Sequence, residues 1–190
     1  MNNPLKKKKR LLNLPVIING LTVSRIIIGL PIIIALSNGN NGIFIFLLLI
    51  GGITDYFDGY LARKYNHQSI LGAKLDPLAD KILILGPMIW LAHENLVPIW
   101  SIWLIISREL FVTSWRSTLG SGGPASIQGK YKTTLQFISI ALLLWPQNWG
   151  SLKTIYLINK IGYISFWMCL ILTFSSAIKY ILSQKETHQS

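Results

Sequence analysis

Apolar residues fill the chain in six long blocks separated by short polar stretches. The blocks run over approximately Val16–Ser37, Ile43–Tyr65, Gly72–Ala92, Val97–Thr118, Tyr131–Trp145 and Ile155–Leu182. Most have the roughly 17–25 residues that a helix needs to cross a bilayer; the fifth is short. The turn-rich run Asn38-Gly39-Asn40-Asn41-Gly42 closes the first block. Pro77 stands in the opening turn of the third, where a helix has no partner for the missing N–H anyway. The pattern predicts an all-α integral membrane protein. Six transmembrane helices form a single domain over residues 16–190, preceded by a basic juxtamembrane segment over residues 1–15.

Composition agrees. Of 190 residues, 51% are hydrophobic and 13% charged, against about 25% charged in an ordinary soluble domain. The net charge is +11. Its basic residues cluster beside apolar blocks, which fits anionic lipid headgroups and anionic substrates rather than nucleic acid. Lys6-Lys7-Lys8-Lys9-Arg10, followed by Leu11, Leu12, Leu14 and Val16, reads as a solvated tail or as a helix lying on anionic lipid. Both readings put the N-terminus in the cytoplasm. Arg63, Lys64, Lys74, Arg116, Lys130, Lys132, Lys179 and Lys185 share that side, whereas the opposite loops offer mainly Lys153. Both termini are then cytoplasmic, as expected for a bacterial-type inner membrane protein. Trp90, Trp100, Trp103, Trp145 and Trp149 fall near the far ends of the blocks as interfacial anchors. Cys169, the single cysteine, excludes an intrachain disulfide and reads as a small packing residue.

The chemistry concentrates in Asp55–Asp80, which holds every aspartate of the chain: Asp55, Asp58, Asp76 and Asp80. Spacings of three and four put each pair on one helix face. Four carboxylates beside apolar sequence repel one another and lose hydration unless a cation sits among them. Mg²⁺ or Mn²⁺ fits, since both take oxygen ligands and also bind phosphates. Gly59, Ala62 and Gly72 let a bulky ligand approach the backbone, although small residues also serve ordinary helix packing in membranes. Arg63 brings a planar donor fork suited to a phosphate, or a salt bridge to one of the aspartates. A proton or ion relay of the transporter kind would use intramembrane carboxylates too.

The order Asp55, Asp58-Gly59, Ala62-Arg63, Gly72, Asp76, Asp80 follows D-x2-D-G-x2-A-R-x8-G-x3-D-x3-D. It resembles the signature of the CDP-alcohol phosphotransferases, integral membrane enzymes that build phospholipids. The resemblance implies metal ligation by Asp55, Asp58, Asp76 and Asp80, with Asp80 also the general base and two metal ions in the site. It implies a nucleotide and diphosphate site formed by Asp58, Gly59, Ala62, Arg63 and Gly72. It also implies CDP-diacylglycerol as donor, contact with membrane lipid, and a homodimer.

Basic residues narrow the acceptor. Arg25 and Arg108 lie inside apolar blocks, where arginine is costly enough to need a partner. Glu109 beside Arg108 offers an internal ion pair, although adjacent residues on a helix face different ways. Further similarity lies in Asn19-Gly20-Leu21-Thr22 with Arg25, in Ile106-Ser107-Arg108-Glu109, and in Gln128-Gly129-Lys130-Tyr131-Lys132-Thr133-Thr134 with Gln136. It implies a phosphate-bearing acceptor, sn-glycerol 3-phosphate, held by Arg108, Lys132, Arg116, Lys130, Thr22 and Arg25. The chain departs from the family pattern at Ile18, often proline, and at Trp115-Arg116-Ser117-Thr118. Phosphatidylglycerol, inositol phosphate and serine remain alternative acceptors.

Overall fold

A computed structural model describes the backbone of residues 4–65, 70–118 and 127–187, with side chains at most positions between 20 and 176. Among the described residues the chain is entirely helical. The helices are α1 Pro4–Ser37, α2 Asn41–Tyr65, α3 Ile70–His93, α4 Ile99–Thr118, α5 Ile127–Leu143 and α6 Leu152–Thr187. Each apolar block of the sequence falls on one of them. Several ends differ from the polarity pattern. α4 starts at Ile99 rather than Val97. α3 starts at Ile70, which puts Pro77 inside the helix, where it forfeits a backbone hydrogen bond, rather than in its first turn. α1 extends back through the basic run to Pro4, because leucine, lysine and arginine are good helix formers and proline suits a first helical position. α5 begins at Ile127 and stops at Leu143, before Trp145. A residue preceding proline, here Pro146, is disfavoured in the α region.

Two helix ends close in the same way. After α1, the Asn40 N–H donates to Ala35 O and the Gly39 N–H to Leu36 O, with Gly39 at φ 70°. After α3, the Leu96 N–H donates to Leu91 O and the Asn95 N–H to Ala92 O, with Asn95 at φ 55°. This double closure, with glycine or asparagine in the left-handed region, satisfies carbonyls that a helix end leaves orphaned. α6 opens on Ser151, whose Oγ accepts from the Thr154 N–H at 3.3 Å, as an N-cap should.

The chain forms two compact units, Met1–Pro87 and Met88–Ser190, with the boundary inside α3. In the first, α1 packs on α2. Its core takes Ile32, Ala35 and Leu36 from α1, Phe44, Ile45 and Leu48 from α2, and Ala79, Leu83 and Ile84 from α3. In the second, α6 packs on α5 and α4. Ile102, Ile105, Ile140, Leu143, Phe166, Cys169 and Leu170 are buried there. The outer faces are also apolar: Ile27 is 64% exposed, Leu30 65%, Trp103 66% and Ile171 65%. Burying such side chains is worth about 1.5–3 kcal/mol each, so these faces suit hydrocarbon far better than water. Among the described residues, one stretch, Leu152–Ser176, is by itself long and apolar enough to cross a membrane.

Candidate active site

The aspartate motif lies on α2 and α3, with Asp55 and Asp58 in the former and Asp76 and Asp80 in the latter. The helices meet where α2 has no side chain. A Cβ built on Gly51 would stand 2.6 Å from Leu83 Cδ2, too close for anything but glycine to fit without movement. Gly51 precedes Asp55 by one turn and Leu83 follows Asp80 by three residues. The close approach therefore joins the turn before one aspartate pair to the turn after the other. The Thr54 hydroxyl donates back to Gly51 O at 2.8 Å, so it is turned onto its own helix.

Asp55 is half exposed and accepts a hydrogen bond from Arg25 Nη1 at 2.6 Å. Arg25 comes from α1 and is wholly buried, as is Thr22 one turn earlier. The expected acceptor ligands Thr22 and Arg25 thus lie in the first unit, with Arg25 holding an aspartate of the motif. The side chains of Asp58, Gly59, Ala62, Arg63, Gly72, Asp76 and Asp80 lie outside the described residues. No group of three potential metal ligands occurs among the described side chains, three of the four aspartates being outside them. The donor set nevertheless fits a hard divalent cation. It is all carboxylate, and the described member is oriented by a charged hydrogen bond while keeping solvent access.

In the second unit, α4, α5 and α6 bring polar side chains together. Arg108 donates from Nη2 to Ser176 Oγ at 2.6 Å and from Nη1 to Glu109 Oε1 at 3.3 Å. Lys132 Nζ also binds Glu109 Oε1. Sequence adjacency does not keep Arg108 and Glu109 apart, and the carboxylate faces both cations. Lys132 and Arg108 are largely buried, their side chains 6% and 13% exposed. Arg108 Nε is buried with no hydrogen-bond partner among the described residues. One turn beyond Lys132, Gln136 is also buried and donates to Met88 Sδ at 2.9 Å. Ser176 donates in turn to Thr173 O at 3.1 Å. The structure therefore brings Arg108 and Lys132 together, whereas the side chains of Arg116 and Lys130 lie outside the described residues.

Ser176 is the member that the sequence reading missed. Its signal is faint but present: Ser165, Cys169, Thr173 and Ser176 recur at intervals of four, four and three along the largely apolar middle of α6. That spacing makes a polar stripe on one face, and polar groups in an apolar span turn inward to find partners.

Helices with apolar outer faces, paired aspartates on two of them and buried cations on others describe a membrane enzyme for phosphorylated lipid chemistry. The chain belongs to the CDP-alcohol phosphatidyltransferase family, whose model matches residues 13–175. The family is membrane-embedded and generally uses a divalent metal. Several relatives carry the name CDP-diacylglycerol–glycerol-3-phosphate 3-phosphatidyltransferase. That of Rickettsia typhi is 34% identical over 180 residues, covering 91% of this chain and 97% of the relative. That of Wigglesworthia glossinidia brevipalpis is 35% identical over 142 residues, covering 70% and 74%. That of Bacillus subtilis reaches 44% over 101 residues, covering 52% of each.

Proposed function

We propose that this enzyme transfers the phosphatidyl group of CDP-diacylglycerol to sn-glycerol 3-phosphate, giving phosphatidylglycerophosphate and CMP. The reading rests first on the complete aspartate motif, carried by two helices that touch at Gly51 and Leu83. Asp55, Asp58, Asp76 and Asp80 would hold two Mg²⁺ or Mn²⁺ ions, which when bound supply positive charge to phosphate oxygens. Arg25 keeps Asp55 oriented. Gly59, Ala62 and Gly72 leave space for the nucleotide, and Arg63 offers it a donor fork. Asp80 takes the proton from the acceptor hydroxyl. That oxygen bonds to the β-phosphorus, the bond from this phosphorus to the bridging oxygen breaks, and CMP leaves. Arg108 and Lys132 bind the acceptor's own phosphate, with Arg116 and Lys130 adding charge. Six spans, cytoplasmic termini, a cytoplasmic active site and a homodimer complete the proposal.

The test is CMP release by the purified protein in detergent, with glycerol 3-phosphate supplied or withheld. CMP should appear only with the acceptor present, stop on chelation of divalent metal, and return with Mg²⁺ or Mn²⁺. Turnover with serine or phosphatidylglycerol but not glycerol 3-phosphate would overturn the acceptor. Undiminished turnover after chelation would overturn the metal site.

A further inference from the structure

Glu109 has no place in the chemistry just described, yet it occupies both cations assigned to the acceptor phosphate. Its Oε1 contacts Lys132 Nζ and lies 3.3 Å from Arg108 Nη1. Two buried cations facing each other without a counter-charge would be strongly unfavourable. The carboxylate resolves this before any acceptor arrives. It is also an obstacle, because a phosphate that approaches the same donors meets its negative charge. Screening is weak for buried groups, so the repulsion persists at physiological salt.

We propose that Glu109 is a displaceable internal anion: it occupies Lys132 and Arg108 when the phosphate site is empty, yields them to a phosphate monoester, and reclaims them as the product leaves. The inference rests on the reading of Arg108 and Lys132 as phosphate ligands. The cations do not depend on Glu109 alone for their placement. Arg108 is also held by Ser176 Oγ at 2.6 Å, and Lys132 is buried where α5 meets α6, its carbonyl accepting from Cys169 Sγ at 3.6 Å. The unpartnered Arg108 Nε supplies a further donor for an incoming oxygen. The reaction supplies the reason for a competing anion. Phosphatidylglycerophosphate keeps the acceptor's phosphate monoester, so donors that grip substrate through this group grip product equally. A carboxylate that competes for them weakens both and speeds release.

The sign of the effect separates this role from a structural one. In Glu109→Gln, the KM for glycerol 3-phosphate and the competitive Ki of methyl phosphate should both fall about tenfold. kcat should fall as well, because the phosphorylated product leaves more slowly. Methyl phosphate is the probe at pH 8, where a phosphate monoester, with a second pKa of about 6, is a dianion. If Glu109 merely braces the cations, its loss raises KM and Ki together, and that result, or no change in either, overturns the proposal. Should Glu109→Gln not survive extraction, Glu109→Asp carries the same test, its shorter carboxylate lowering Ki by a smaller factor; an unchanged or raised Ki again overturns the proposal. Failure of methyl phosphate to compete with glycerol 3-phosphate in the unmodified enzyme removes the acceptor reading itself. Competition that Glu109 variants leave unaltered removes only the role of Glu109.

Discussion

Arg25 is buried completely yet spends one donor on a half-exposed carboxylate. An arginine that only balanced charge inside the membrane could use any acidic partner, but this one takes the first aspartate of the motif. Hydrogen bonds to a ligating carboxylate orient it and tune its hold on metal, and their loss typically costs about 10–100-fold in metal affinity or activity. Arg25→Lys keeps the charge and loses the planar fork. The metal concentration that half-activates CMP release should rise about tenfold or more, with the KM for glycerol 3-phosphate changing less than about threefold. The opposite split would return Arg25 to the acceptor's phosphate. Asp80→Asn probes another link, since it removes the proposed base while keeping size and shape. General-base assistance contributes about 10²–10⁴-fold, so kcat should fall by at least about a hundredfold while CDP-diacylglycerol binding, measured by competition, largely survives. Near-normal kcat would remove Asp80 from that role.

Among the elements, glycines decide where helices touch. A Cβ on Gly162 of α6 would lie 2.9 Å from Leu142 Cβ and 3.0 Å from the Leu143 backbone nitrogen. A backbone atom cannot swing aside as a side-chain tip can. Gly162→Ala must therefore separate α5 from α6, at a cost of about 1–3 kcal/mol for overpacking. Thermal unfolding in detergent should show Tm lowered by roughly 2–12 °C. Gly20→Ala is the matched contrast. Its added methyl meets nothing within 4 Å, and the gain in helix propensity, up to about 1 kcal/mol, should leave Tm equal or slightly raised. Equal losses at the two positions would mean that helix contact does not determine the outcome. The close approach at Gly162 also bears on Arg108, because α5 and α6 carry Lys132 and Ser176. On the proposed assignment of Lys132 and Arg108, separating these helices should weaken the hold on the acceptor as well as on the fold.

For the whole molecule, the polarity pattern located helices better than it located their inner faces. All six apolar blocks fall on helices, because long apolar runs and Asn-Gly turns are read without tertiary information. Which face turns inward was hidden, because Ile27 and Leu30 on the outside are as apolar as Ile32 and Leu36 inside. Lipid removes the polarity contrast that marks a buried face in water. The aspartate motif was legible because its residue types and spacing are rare together. The pair of Glu109 with Arg108 was offered by their adjacency, but the contacts of Glu109 with Lys132 and of Ser176 with Arg108 were not, since they join helices far apart in sequence. Charge is the remaining global signal, and it carries the last prediction. If the excess of lysine and arginine sets orientation, as in other membrane proteins, the α1–α2 turn and the polar stretch between α5 and α6 face away from the cytoplasm. Asn40→Cys and Asn148→Cys should then react with an impermeant maleimide on intact spheroplasts. Lys185→Cys should react only after permeabilisation. The native Cys169 is buried and should contribute little background. Labelling of Lys185→Cys without permeabilisation, or protection of Asn40→Cys and Asn148→Cys in intact spheroplasts, would overturn the six-span arrangement.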